Sequence, residues 1–425
     1  MGQIKNKNEN KLWNKNFFLL WQGQLVSVLG DVIYTMALDF WILDVTGSTA
    51  LMGLLSACTM IPRIVLGPFA GVWVDKWDRK KIIVLTDLIR GIFVTFVGIA
   101  ALGGFIKVWM VFVVGIIGGL NSAFFGPAIS SSRPDIVPEE KLMKANSVTS
   151  LAESGMNMLG SAIGGVLYAA IGAPYMFLFN GISYLFSAFT EVFIKIPKVK
   201  RENEEITFVE DFKIGFKFLW NFKALRNTCI TSALINFFFN AAAILMVAYF
   251  KEMEFLGVER YGVAMTVLAL GMMAGSVTLS VVNIKRQNKF KTFKGSLLVF
   301  CVGMLAMPLV QNYGILLVIL FVSFFMNAVL NTIFSTTMMQ VIPSDIRGKV
   351  ISIVSTLNMG LTPLGTLLGG FLGEFIPVKI VLMGLFVCSF VVGIAMINVK
   401  GASTLIEYDS EESTLNSLIE ETNAC

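Results

Sequence analysis

Asp31 stands near the middle of an apolar run covering residues 17–43. A charge at the centre of a hydrocarbon span costs on the order of 2.5–3.5 kcal/mol by insertion scales. Such an acid must face a cavity, pair with a cation or carry a proton. Gln24, Ser27, Asp31 and Tyr34 follow one another at steps of three and four, which puts them on one helix face. Arg63, beside Pro62 in the next apolar run, is the expected cation. Two readings of the pair stay open. Asp31 and Arg63 form a fixed bridge between two helices, or Asp31 is a proton or substrate site whose proton affinity Arg63 tunes. Glu153 shares a stripe with Asn157, Gly160 and Gly164 in a later run and is the second candidate acid for proton coupling. Asp39, Glu191 and Glu374 lie towards span ends, where water is expected to reach them, and Asp87 and Arg90, one turn apart, are expected to pair locally.

Uncharged polar residues also recur inside apolar runs. Ser232, Asn236 and Asn240 repeat every fourth position, as do Ser323, Asn327, Asn331 and Ser335, and Asn121 stands alone in an earlier run. One such residue could simply bond a neighbouring helix, a contact of about 0.6 kcal/mol. The pattern across several runs favours a polar cavity. Gln24, Tyr34, Asn121, Asn157, Asn236, Asn240, Asn327 and Asn331 are its candidate lining.

Composition limits the chemistry further. Apolar residues make up 56% of the 425, charged residues only 14%, and the mean hydropathy is +0.75. A soluble chain would carry nearer a quarter charged residues. Histidine is absent, so histidine metal sites and histidine proton relays are excluded together and proton chemistry falls to carboxylates. The five cysteines stand singly, with no disulfide or metal spacing. No nucleophile sits beside a base and no Gly-x-x-x-x-Gly-Lys-[Ser/Thr] occurs, which argues against an enzyme and against a nucleotide-driven pump. No metal, no other cofactor and no nucleic-acid partner is expected. The net charge of +5 is modest, but the positive residues are unevenly placed.

Twelve apolar runs are long enough to span a bilayer, from 17–43 to 378–399. They predict an all-α membrane protein of twelve transmembrane helices in two pseudo-symmetric six-helix bundles. No cleavage site follows the polar N-terminus, so the first span is expected to be retained. Of the 33 lysines and arginines, only Lys107, Lys251, Arg260 and Lys379 fall in the loops on one side, and only Arg63 and Arg90 fall within runs. The positive-inside rule then puts both termini in the cytoplasm. The expected order is an N-tail over 1–16, a six-helix bundle over 17–196, a cytoplasmic linker over 197–226, a second bundle over 227–400 and a disordered tail over 401–425. Phe208, Phe212, Phe216 and Leu219 predict an amphipathic helix in the linker. The bundles repeat: Leu159-Gly160 through Gly164-Gly165 matches Leu364-Gly365 through Gly369-Gly370, and Pro138 matches Pro343, all at one offset of 205 residues. The glycines are expected to allow close helix packing.

One loop carries a family resemblance. Gly71-Val-Trp-Val-Asp75-Lys76-Trp-Asp78-Arg79-Lys80-Lys81 resembles the loop signature of the major facilitator superfamily, Gly-x-x-x-Asp-[Arg/Lys]-x-Gly-[Arg/Lys]-[Arg/Lys], with Asp78 in place of the second glycine. Its macrolide-efflux and multidrug proton-antiporter branch often has an acid there. The resemblance implies that spans 1, 4, 7 and 10 line a central cavity. Gly71, Asp75, Arg79 and Lys80 would form a gate loop, in which Asp75 faces the N-terminus of span 11 and Arg79 pairs with a nearby carboxylate. Gly160 and the residues after it resemble the efflux branch's Gly-Pro-x-x-Gly-Gly, with Ser161 in place of the proline. The implied function is a secondary exporter of hydrophobic or amphipathic compounds such as macrolides, in exchange for protons. The chain would act as a monomer in the plasma (inner) membrane, with the lipid bilayer as its other partner. Alternatives within the superfamily are a siderophore exporter and a lysophospholipid flippase.

Overall fold

A computed structural model describes residues 11–196, 208–408 and 415–424. Long apolar runs form helices because lipid leaves no other partner for backbone N–H and C=O groups. The first unit contains α1 (Lys15–Thr46), α2 (Thr49–Lys76), α3 (Arg79–Leu102), α4 (Val108–Ile136) and α5 (Leu142–Glu191). The second contains α6 (Phe208–Asn221), α7 (Lys223–Glu252), α8 (Val258–Val281), α9 (Arg286–Ala306), α10 (Tyr313–Val341), α11 (Arg347–Phe375), α12 (Val378–Ile397), α13 (Ala402–Ile406) and α14 (Leu415–Ala424). The first turn of α8, Val258–Val263, is an exception and groups with the first unit.

Eleven described helical stretches are long and apolar enough to cross a membrane. One of them holds two expected spans. Within α5, Gly172 has φ 74° and ψ 171°, a conformation open essentially to glycine alone, and Pro174 follows. Residues 142–171 and 173–191 each supply the roughly 20 residues of a span, so the architecture is compatible with twelve crossings.

Polar side chains set the helix starts. Asn14 caps α1 by accepting from the Phe17 N–H at 3.0 Å and donates to the Ile136 carbonyl at 2.8 Å, tying the start of α1 to the end of α4. Only Trp77 and Asp78 separate α2 from α3. Asp78, the residue that departs from the superfamily signature, caps α3 by accepting from the Lys81 N–H at 3.2 Å. An acid suits that position through its side-chain acceptor and the positive helix end.

Glycine pairs bring the helices together. On α5, a Cβ added at Gly160 would lie 2.9 Å from Val32 of α1, and one at Gly164 would lie 2.6 Å from Met36. On α11, a Cβ at Gly365 would lie 2.5 Å from the Phe237 carbonyl of α7, and one at Gly369 would overlap the Ala241 carbonyl. Each of these residues shifts by the same 205 positions between units (Val32 to Phe237, Met36 to Ala241, Gly160 to Gly365, Gly164 to Gly369). The sequence repeat is thus a repeat of contacts. Gly165 faces the Val258 carbonyl at the first turn of α8, and Gly370 is buried.

The linker and tail differ in part from expectation. Residues 197–207, 409–414 and 425 lie outside the described residues, as does the side chain of Phe208. From 208 the linker forms α6, whose Gly215 abuts Lys349 and Ile353 of α11. Leu219 is buried, while Phe212, Phe216 and Trp220 stack on the exposed side. The tail, expected to be disordered, carries α13 and α14. Leu405, Tyr408 and Leu418 bury themselves with Leu225 and Val350, and that apolar contact orders the segment despite its acidic composition.

Two measurements test this packing. Gly369→Ala should destabilise the purified protein by about 1–3 kcal/mol, the usual range for overpacking. Gly360→Ala, where a Cβ meets open space on the same helix, should leave the thermal midpoint unchanged, and equal midpoints for the two variants would refute the assignment. Second, Arg79 Nη1 donates to Asp135 Oδ2 at 2.5 Å and to the Ser131 carbonyl at 3.1 Å, with both side chains under one-tenth exposed. Asp135→Ala removes the carboxylate facing the Arg79 guanidinium and should cost about 3–5 kcal/mol. A thermal midpoint like that of the unaltered protein would show the bridge to be solvated.

Candidate functional site

In the first unit three helices turn polar faces to one another. On α1 the face is Gln24, Ser27, Asp31 and Tyr34. On the second part of α5, Asn180, Tyr184, Ser187 and Glu191 recur at steps of four, three and four, again one face. From α3 come Asp87 and Arg90. Small residues allow the approach. A Cβ at Gly30 would sit 2.5 Å from Asn180 Oδ1, and one at Gly23 2.8 Å from Ser187 Oγ. A Cβ at Gly91 of α3 would sit 2.7 Å from Leu185, and Gly181 abuts the backbone of Thr95.

Asp31 is held by two donors: the Tyr184 hydroxyl gives to Oδ1 at 2.5 Å and the Asn180 amide at 3.3 Å. The cation acting on Asp31 is Arg90. Arg90 Nη2 donates to Ser122 Oγ of α4 at 2.7 Å, and its guanidinium carbon lies 5.2 Å from the Phe125 ring centre and 5.4 Å from that of Tyr184. Aromatic faces and a hydroxyl thus hold a charge that hydrocarbon would reject.

Several expectations are corrected here. Arg63 is exposed on α2 and forms no ion pair with Asp31 among the described residues. The glycine contacts turn the Asp31 face towards the second part of α5, whereas α2 packs along α4. Arg90 and Asp87 act on each other as opposite charges, as expected, but the hydrogen bond described for Arg90 goes to Ser122. Glu191 does not reach water, being 1% exposed. The end of α5 is covered because Asn16 of α1 accepts from the Lys195 N–H at 3.0 Å and Ile194 packs inward.

The remaining first-unit candidates are scattered. Glu153 is half-buried on α5, where its carbonyl accepts from the exposed Asn157 at 2.8 Å. Gln24 and Asn121 are buried. The Tyr34 ring packs edge-on to Phe177, with centroids 5.2 Å apart, and its hydroxyl is buried without a partner. A Cβ at Gly71 would meet open space, so packing gives no reason for that glycine. Lys80 is half-buried, and the side chain of Asp75 lies outside the described residues.

The second unit holds a cavity of about 240 Å³. Ser232, Asn236 and Phe239 of α7 line it with Phe300 of α9 and Phe324, Asn327 and Asn331 of α10. Phe239, Phe300 and Phe324 form a triangle with ring centroids 5.8–5.9 Å apart. Asn236 donates to Asn358 Oδ1 of α11 at 3.2 Å, and Asn331 donates to Asn327 Oδ1 at 2.9 Å. Asn240 bonds the Asn236 carbonyl at 2.7 Å and does not line the cavity. Nor does any charged residue. Three of its walls are repeat counterparts of the acidic face: Ser27, Asp31 and Tyr34 plus 205 give Ser232, Asn236 and Phe239. The phenylalanines carry no sequence signal of their own, because the chain has 36.

The chain is 29% identical over 227 residues to macrolide efflux protein A of Streptococcus pyogenes, a match covering 53% of this chain and 56% of that protein. The chain therefore spans about half the length of that relative. It is 22% identical over 363 residues to the multidrug efflux pump Tap of Mycobacterium tuberculosis, covering 83% and 86% of the two chains. Among solved structures, a bacterial homologue of the iron transporter ferroportin in an inward-facing state superposes with a TM-score of 0.68 at 16% identity, over 90% of this chain and 98% of that one, a likeness of fold. The Major Facilitator Superfamily profile matches residues 20–366, and with that match over most of its length the chain belongs to the Major Facilitator Superfamily, a family of multi-pass membrane transporters.

Proposed function

We propose that this chain exports hydrophobic or amphipathic compounds, macrolides among them, by alternating access in exchange for protons. It would work as a monomer in the inner membrane with both termini in the cytoplasm. The observation that carries this reading is the divergence of the two units at equivalent positions. Asp31 in the first becomes Asn236 in the second, and Tyr34 becomes Phe239. An acid buried in mid-span suits a proton, and two hydrogen-bond donors and a nearby guanidinium receive its carboxylate when that proton leaves. An uncharged pocket of phenylalanine faces and amides suits an organic molecule with little charge.

Magnitude limits what the pocket holds. Sites for drug-sized ligands run to roughly 300–1,000 Å³, so a cavity of about 240 Å³ seats one ring or side arm of a macrolide. A siderophore or a lysophospholipid headgroup would call for a charged partner that the lining lacks. Efflux by the named relatives supports the direction of transport.

Reconstituted into liposomes with an imposed pH gradient, the wild type should export erythromycin. Asp31→Asn should abolish the gradient-driven part, and export equal to wild type would end the proton role of Asp31. Phe324→Ala opens the aromatic triangle and should weaken erythromycin affinity by about 2- to 10-fold, the factor expected for one aromatic contact. An unchanged affinity would remove the pocket from the substrate path.

A further inference from the structure

We propose that Asp87 of α3 and Glu191 of α5 are two further proton-binding acids, joined with Asp31 in a file of three carboxyls along the meeting of α1, α3 and α5. The proposal rests on the proton-coupled reading above and extends it to residues that reading leaves unused.

The observations are geometric. Asp87 is 0% and Glu191 1% exposed, and among the described residues the Ser187 hydroxyl is the one donor acting on either carboxyl. A bare carboxylate with so few donors is costly away from water, and a proton removes that cost. Ser187, whose hydroxyl is buried, lies between the two acids and acts on both. Asn180, Tyr184, Ser187 and Glu191 share one face of α5, so the file runs from the donors of Asp31 to the end of that helix. Eleven residues at 1.5 Å each make this about 16 Å.

Charge counting points the same way. Arg90 is the one cation acting on Asp31, Asp87 and Glu191. The other titratable groups facing them are the hydroxyls of Tyr34 on α1 and Tyr184 on α5, while α4 contributes neutral Ser122 and the ring of Phe125. Three acids around one guanidinium would leave two uncompensated charges in hydrocarbon. Up to two protons restore neutrality. Each step breaks one O–H bond, leaves its electron pair on the donor carboxylate and forms an O–H bond on the acceptor. Arg90 offsets whichever carboxylate is bare.

The test uses the full chain in lipid nanodiscs. In pH-difference infrared spectra the wild type should show carboxylic-acid C=O bands, of which Asp87→Asn and Glu191→Gln each remove one. Wild-type protein treated with dicyclohexylcarbodiimide, which reacts with protonated acids in apolar surroundings, should carry adducts on the peptides of Asp87 or Glu191, fewer as pH rises. This second reading needs no variant to fold. Spectra unchanged by both substitutions, or an adduct map with neither residue, would overturn the file and leave erythromycin efflux standing. Wild-type liposomes that fail to move erythromycin along a proton gradient would overturn the efflux reading, while the bands and adducts still decide the file.

Discussion

The fold depends on backbone meeting backbone where one side has no Cβ. Water is absent from the bilayer core, so helices gain little by hiding apolar surface from one another and associate through close packing. Gly160 and Gly164 seat α1 on α5, and Gly365 and Gly369 seat α7 on α11. The same approach aims the next residues along each helix. Asp31 precedes Val32 and Asn236 precedes Phe237, so the seat fixed by the glycines decides which neighbours each polar side chain meets. Gly30 and Gly23 complete the contact in the first unit by admitting Asn180 and Ser187 against α1.

From a shared scaffold the two units reach opposite chemistry. The first gathers Asp31, Asp87, Glu191 and Arg90 with tyrosine and serine hydroxyls. The second has Asn236 and Phe239 where the first has Asp31 and Tyr34, in a lining of amides and phenylalanine rings. Buried charge is costly in lipid and is tolerated only with partners, so concentrating it in one unit lets a single guanidinium serve several acids. The other unit stays free of charges that an apolar ligand would have to displace.

Much of this is legible in the residue string. The 205-residue offset announces the repeat, and an acid in the middle of a long apolar run announces a site. The error over Arg63 has a physical origin. Helical periodicity gives the face on which a residue lies, but not the helix that covers the face, and the glycine contacts bring Arg90 rather than Arg63 to that face. Asn180, Tyr184 and Ser187 form a stripe at helical spacing, but no formal charge in the span's middle marks that stripe as a site. Glu191 misled through its place near a helix end: depth along a helix says nothing about cover from a neighbour, here Asn16 and Ile194. The tail helices were hidden because an acidic composition masks the few apolar residues, Leu405 and Leu418, that dock.

The exchange of Asp31 for Asn236 also decides where an electric field can act. A membrane potential does work on net charge alone, about 2.3 kcal/mol per elementary charge for each 100 mV traversed. Amides and rings offer it no handle, so voltage would act on the acidic face of the first unit and not on the lining of the cavity in the second. A cell's resting voltage would therefore bias this molecule through that acidic face, whatever uncharged cargo the cavity holds.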